Sequence, residues 1–170
     1  INNYATFKGG ALYSTGPGSQ VFDNQFSGNH APKGGSIACE DGDLMMLGNT
    51  LESSTADQGA AVYAYSAEVE LQDNAICGNE APTGGGVYGI ESSVIIDGNE
   101  TTRNASNSGG GMNMWFCDAE FTDNQITENV VSGYGGGIYM FNSETSFANT
   151  VLGNNAANNG GGIYQISSNS

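Results

Sequence analysis

The sequence predicts an all-β solenoid, a parallel β-helix of about seven coils with 25 residues and three short strands in each. Three observations predict it. A glycine motif returns at a fixed spacing, two columns of asparagine keep the same period, and the hydrophobic positions hold one kind of residue from coil to coil.

The glycine motif reads GGAL from Gly9, GGSI from Gly34, GAAV from Gly59, GGGV from Gly84 and GGGM from Gly109, then GGGI from Gly135 and from Gly160. The successive spacings are 25, 25, 25, 25, 26 and 25 residues. A unit of this length also suits a leucine-rich repeat, but the leucine pattern is absent and glycine is too frequent for helices. Short alternating segments separated by Gly, Asn, Asp and Ser are what strands and tight turns require.

The asparagine signature reads VFDNQFSGN from Val21, LQDNAICGN from Leu71 and FTDNQITEN from Phe121. One column holds Asn24, Asn49, Asn74, Asn99 and Asn124; five residues on come Asn29, Ser54, Asn79, Asn104 and Asn129. A one-residue insertion near Ser132 to Tyr134 shifts the register, so that Thr150 and Asn155 are expected to continue the two columns. Stacked turns leave backbone donors and acceptors facing inward. An asparagine amide bonds both the local backbone and its copy in the next coil, building a ladder.

Each strand follows from its column. The first strand is GIYMF (Gly137 to Phe141) and its copies; the second ends at Val21, Met46, Leu71, Ile96, Phe121 and Phe147; the third carries Phe26, Leu51, Ile76, Thr101, Ile126 and Leu152. Leu12, Ile37, Val62, Val87, Met112, Ile138 and Ile163 form an inward column. Two residues on, Cys39, Ala64, Gly89, Met114 and Met140 are small or adaptable. Alternation puts Ala38, Tyr63, Tyr88, Asn113, Tyr139 and Tyr164 outside, followed by Glu40, Tyr65, Ile90, Trp115, Phe141 and Ile166. These columns predict an exposed aromatic stripe. Tyr63, Tyr65, Tyr88, Ile90, Trp115, Tyr139, Phe141 and Tyr164 are its candidate binding or assembly residues.

The repeated GGAL- and GGSI-type motifs at Gly9 to Leu12 and Gly34 to Ile37, with FTDN at Phe121 to Asn124, resemble the polymorphic outer membrane protein repeats. That resemblance covers nearly the whole chain. It implies a right-handed, single-stranded parallel β-helix and an extracellular or cell-surface setting, and it implies no particular activity. The chain departs from the pattern by placing Val, Leu, Ile or Met where Phe is usual.

Composition narrows the partners. Eighteen acidic residues face three basic ones, for a net charge of -15, which opposes binding to nucleic acid or insertion into an anionic membrane. No apolar run reaches the 18 or so residues of a membrane helix. Cys39, Cys77 and Cys117 lack metal-ligand spacing and are expected to be small core residues. Ile1 matches Phe26 by register and Ser170 matches Leu44, so the chain is expected to be a segment of a longer solenoid or a unit stacked end to end.

Catalysis finds little support. A polysaccharide lyase needs a positioned base and usually calcium, and a hydrolase needs paired carboxylates on one face. The outward first-strand positions hold Tyr, Asn and Ala, with Glu40, Asp41 and Glu91 only at the strand end. Lys33 and Arg103 stand in different columns, and His30 lies in a turn. Asp23, Asp73 and Asp123 are separated by Gly48 and Gly98, about 9 to 10 Å apart, too far to share an ion. Asp43, Glu68 and Asp118, near Glu70 and Glu120, attract cations only diffusely. No metal or cofactor is expected, and no threonine column suggests an ice-binding face. Two sequons, at Asn99 and Asn104, fall in the inward columns, where glycans do not fit.

The expected function is therefore that of a non-catalytic extracellular structural protein, a filament, stalk or appendage segment assembling with itself or with other β-helical chains. The rival is an adhesin-like passenger that grips glycan or surface protein through the stripe, and a polysaccharide-acting enzyme comes third.

Overall fold

The computed structural model describes residues 1–156 and 158–166. Its strands pair only in parallel, each with its copy one coil away, and the coils stack into a solenoid of six full turns between the glycine corners at Gly9 and Gly160. The count is one fewer than expected, because seven corners bound six turns. Among the described residues there is no helix.

The first wall comprises Val62–Tyr65, Val87–Ile90, Met112–Trp115, Ile138–Phe141 and Ile163–Ile166. The second comprises Glu68–Gln72, Ser93–Asp97, Asp118–Thr122 and Glu144–Ala148. Two longer strands, Leu12–Phe22 and Ile37–Leu47, run unbroken round the bend and join both walls into one sheet. The third wall, from Gln25–Ser27 to Val151–Ala156, is a separate sheet. A fourth, shorter side is held by isolated bridges such as Thr55↔Glu80 and Gln58↔Thr83.

Register is as the columns require. Met46 pairs with Leu71, Leu71 with Ile96 and Ile96 with Phe121 in the second wall; Leu51 pairs with Ile76 and Ile76 with Thr101 in the third. The inward columns form one continuous apolar core from Val21 to Met140. Like positions share one volume, so a change of size in one coil is felt by both neighbours.

Four corners turn each coil, and each takes one residue of left-handed backbone. Those columns are Gly9 to Gly160; Asp41, Ser66, Glu91, Phe116 and Asn142; Asp23, Gly48, Asp73, Gly98, Asp123 and Asn149; and Gly28, Ser53, Gly78, Arg103 and Glu128. Only the first is glycine throughout. A Cβ on Gly34 would lie 2.1 Å from the Ile37 carbonyl oxygen and one on Gly59 would lie 2.3 Å from that of Val62, so both conformation and space exclude a side chain. Glycine alternates with aspartate in the third column for a different reason: the Asp23 and Asp73 carboxylates lean over Gly48 and Gly98, within 2.5 Å and 2.3 Å of where a Cβ would stand.

Two register details differ from expectation. The first coil carries an extra residue, so Asn3 meets Asn29 and Tyr4 pairs with His30, and Ile1 does not face Phe26. Ser170 lies outside the described residues. The insertion itself falls where expected, between Ser106↔Val131 and Ser108↔Tyr134. A residue is then omitted between Thr127↔Gly153 and Val130↔Asn155. Asn155 therefore pairs with Val130 rather than continuing the column of Asn129, and its side chain lies outside the described residues.

Candidate binding face

The asparagine columns form two ladders. In the first, Asn49 donates from its backbone N–H (2.9 Å) and Nδ2 (3.0 Å) to Asn74 Oδ1, and its Nδ2 also donates to the Val21 carbonyl (2.7 Å). Asn74 repeats the pattern toward Asn99 and the Met46 carbonyl, and Asn24 and Asn124 extend it. In the second, Asn79 reaches Asn104 and the Leu51 carbonyl, and Asn104 reaches Asn129 and the Ile76 carbonyl. Asn129 donates to the Thr101 carbonyl. Each rung satisfies an inward backbone carbonyl that the turn leaves without a partner.

Four contributors escaped sequence reading. Asn3 joins the second ladder through Asn29, hidden by its 26-residue offset. Ser36 repairs the gap at Ser54: Asn29 Nδ2 donates to Ser36 Oγ (3.2 Å), which contacts Ser54 Oγ (2.8 Å). Ser92 and Ser143 accept from the backbone N–H groups of Ala67 and Cys117 at another corner. The sequon asparagines Asn99 and Asn104 are fully buried ladder members.

The aromatic stripe is less exposed than expected. Tyr63, Tyr88 and Tyr139 point out of the coil yet are buried, while Ile90, Trp115, Phe141 and Tyr164 are half-buried and Tyr65 is exposed. Neighbouring strands pack the rings against each other: Tyr63 to Tyr88 at 6.0 Å, Trp115 to Phe141 at 4.9 Å and Tyr139 to Tyr164 at 5.7 Å. A loop residue of the preceding coil closes the far side. Lys33 Nζ donates to the Tyr63 hydroxyl (3.2 Å) and sits 5.0 Å over its ring, and Tyr134 lies 4.9 Å from Tyr164. The columns thus form a second, outer hydrophobic cluster, and burial pushes the Tyr63 and Tyr88 hydroxyls up to about 12.

The same face holds a charged end. Glu40 pairs with Lys8 and accepts from the Tyr13 hydroxyl at 3.1 Å. Further along the stack stands Phe116, a residue outside the predicted stripe. Its corner column otherwise holds Asp41, Ser66, Glu91 and Asn142; Phe116 itself is 49% exposed and packs edge-on against Phe141 at 5.4 Å. The signal available in sequence was a Phe in a polar column.

Beside this face, the outward side of the second wall forms two shallow grooves of about 420 and 240 Å³ that share Ser93 and Ile95. Asp118, Glu120 and Glu144 line one, and Asp43, Glu68 and Glu70 the other, with no lysine or arginine in either. Among the described residues, no three His, Cys, Asp or Glu side chains are placed to hold a metal ion. Cys39 and Cys117 are buried and Cys77 is half-buried, all as free thiols. Burial holds Cys39 up at about 11 and raises the other two, so all three stay protonated and unreactive near neutral pH.

No curated protein and no solved structure gives a significant match to the chain. The family model described as "right handed beta helix region" matches residues 9–170. With the glycine corners and every ladder asparagine but Asn3 lying inside that span, the chain belongs to the right-handed β-helix family.

Proposed function

We propose that this chain is a non-catalytic structural protein of the cell exterior, a segment of a β-helical stalk, filament or surface appendage. The observation that carries the reading is the ladder. Each of these ladder asparagines bonds its copy in the coil beside it, so the stack can be lengthened coil by coil at about 4.8 Å per coil without a new design. Other β-helical chains, or further copies of this one, are the partners that such stacking fits. The resemblance of GGAL, GGSI and FTDN to the polymorphic outer membrane protein repeats supports the extracellular or cell-surface setting. Electron microscopy over a concentration series tests the assembly: rods that lengthen end to end are expected, and particles of one fixed length at every concentration would sink it. Turnover of a polysaccharide would overturn the non-catalytic reading.

A second reading, a binding module that grips glycan or surface protein through the aromatic face, is favoured by one observation. Phe116 exposes a large ring in mid-stack where its column is otherwise polar. Trp115→Ser with Phe141→Ser tests it, since unchanged ligand binding in a folded double variant removes the face from function.

A further inference from the structure

Two buried polar atoms of the outer face, Asn113 Oδ1 and Trp115 Nε1, have no hydrogen-bond partner in the protein. They belong to one strand, Met112–Trp115, and lie two residues apart on the same side of it. Asn113 occupies a tyrosine position, paired with Tyr88 in one neighbouring coil and Tyr139 in the other. A short side chain in a column of rings leaves space, and the indole of Trp115 takes it: it packs on the cluster of Tyr63 and Tyr88 and stacks 6.3 Å from Tyr139. Asn113 Nδ2 donates to the Ser108 carbonyl (3.2 Å) and Oγ (3.1 Å). Its Oδ1 is thereby turned away from that loop. An acceptor and a donor without partners thus lie two residues apart on one strand, each carrying an uncompensated desolvation cost.

The next residue adds an independent observation. Phe116 adopts φ 53°, a conformation that a bulky side chain resists, and its exposed ring recovers little through burial. Folding has no use for this strain, because Asp41, Ser66, Glu91 and Asn142 turn the same corner.

We propose that Asn113, Trp115, Phe116 and Phe141 form a subsite for one ring of a neutral polysaccharide, an inference that rests on the binding-module reading of this face. A pyranose has an apolar C–H face that stacks on an aromatic ring. Its hydroxyls both donate and accept, so a hydroxyl donating to Asn113 Oδ1 and one accepting from Trp115 Nε1 complete both unmet bonds. Access requires the indole to turn outward, exchanging its stack on Tyr139 for one on the sugar. Neutrality follows from the surroundings: Glu91, Asp118 and Glu120 flank the site on a chain of net charge -15. A peptide strand is disfavoured because the backbone of Met112–Trp115 is already paired on both sides and offers no edge.

Trp115 is the only tryptophan of the chain, so its emission reports on this subsite alone. Cellohexaose, xylohexaose and hexa-N-acetylchitohexaose are titrated while emission is followed, with calorimetry in parallel. At least one is expected to give a saturable emission change. Phe116→Asn, which copies Asn142, is expected to weaken it about tenfold while holding or raising the melting temperature, a combination that a merely structural Phe116 would not give. Asn113→Ala is expected to weaken binding similarly; should it not fold, Phe116→Asn decides. Silence of all three probes by both methods overturns the subsite. A probe that binds by calorimetry without moving the emission also overturns it, yet leaves the binding-module reading standing elsewhere on the face.

Discussion

The laddered corners and the aromatic face are both columns of side chains repeated along one axis, and they differ in how they are completed. In the ladders each asparagine is the partner of its own copy, so the residue must recur, and Ser54 is tolerated only because Ser36 repairs it. On the outer face each ring needs only contact, and the column passes from Tyr to Ala to Asn without breaking the strands. Self-satisfying columns are bound to the fold. Contact columns leave positions free to vary, and it is there that unmet polar atoms and a strained phenylalanine appear.

The sharpest way to break this contrast is at the corners. Gly59 and Gly78 share nearly the same backbone, φ 59° and 63°, but a Cβ at Gly59 meets the Val62 carbonyl while one at Gly78 meets nothing within 4 Å. Gly59→Ala should cost about 4 kcal/mol, from strain and a forced backbone shift. Gly78→Ala should cost only about 1 kcal/mol, and denaturant unfolding of the pair measures both. Equal costs would mean that conformation alone, not the space between coils, fixes the glycine column.

Asn74→Ala tests the ladder itself. It removes the acceptor for the Asn49 backbone and side chain and the donor to the Met46 carbonyl, at about 3 kcal/mol in all. The melting temperature should fall by on the order of 10 °C. A fall no larger than for an exposed site such as Gln25→Ala would show that water replaces the rung.

The fold was legible because its causes recur. A glycine that only glycine can occupy, and an asparagine that bonds its own copy, leave a 25-residue imprint that alternation then divides into walls. What escaped was whatever broke the period or lay sideways to it. Asn3 was masked by an extra residue in its coil, and the shift at Asn155 came from one residue omitted after Gly153. Cover on Tyr63 and Tyr164 came from Lys33 and Tyr134, loop residues of the preceding coil, a contact that strand alternation does not encode. Phe116 was missed because alternation stops at a corner.

Thr101 is an interior counter-example to the rule that inner columns are complete. It lies fully buried between Ile76 and Ile126, and its hydroxyl has no hydrogen-bond partner. Thr101→Val keeps the shape and removes the unmet group, so a gain of about 1 kcal/mol is expected. Loss of stability in chemical denaturation would show that the hydroxyl is satisfied after all.

The outer cluster should reveal itself most gently through pH. Burial is the main cause that lifts Tyr63 and Tyr88 from 10.0 to about 12, with Glu40 adding to the lift at Tyr63. A raised folded-state pKa means that the native state holds its proton where the unfolded chain has released it. The contribution of these hydroxyls is therefore complete below pH 10 and is lost as pH rises through about 12. Stability should be flat with respect to these groups at neutral pH and decline across that window. Tyr63→Phe removes one of the two groups and should make the decline shallower, at the expense of the bond from Lys33. Phenolate absorbance from both tyrosines at their ordinary pH, with the strands still intact by circular dichroism, would mean that the rings are open to water and that the outer face is a surface instead of a second core.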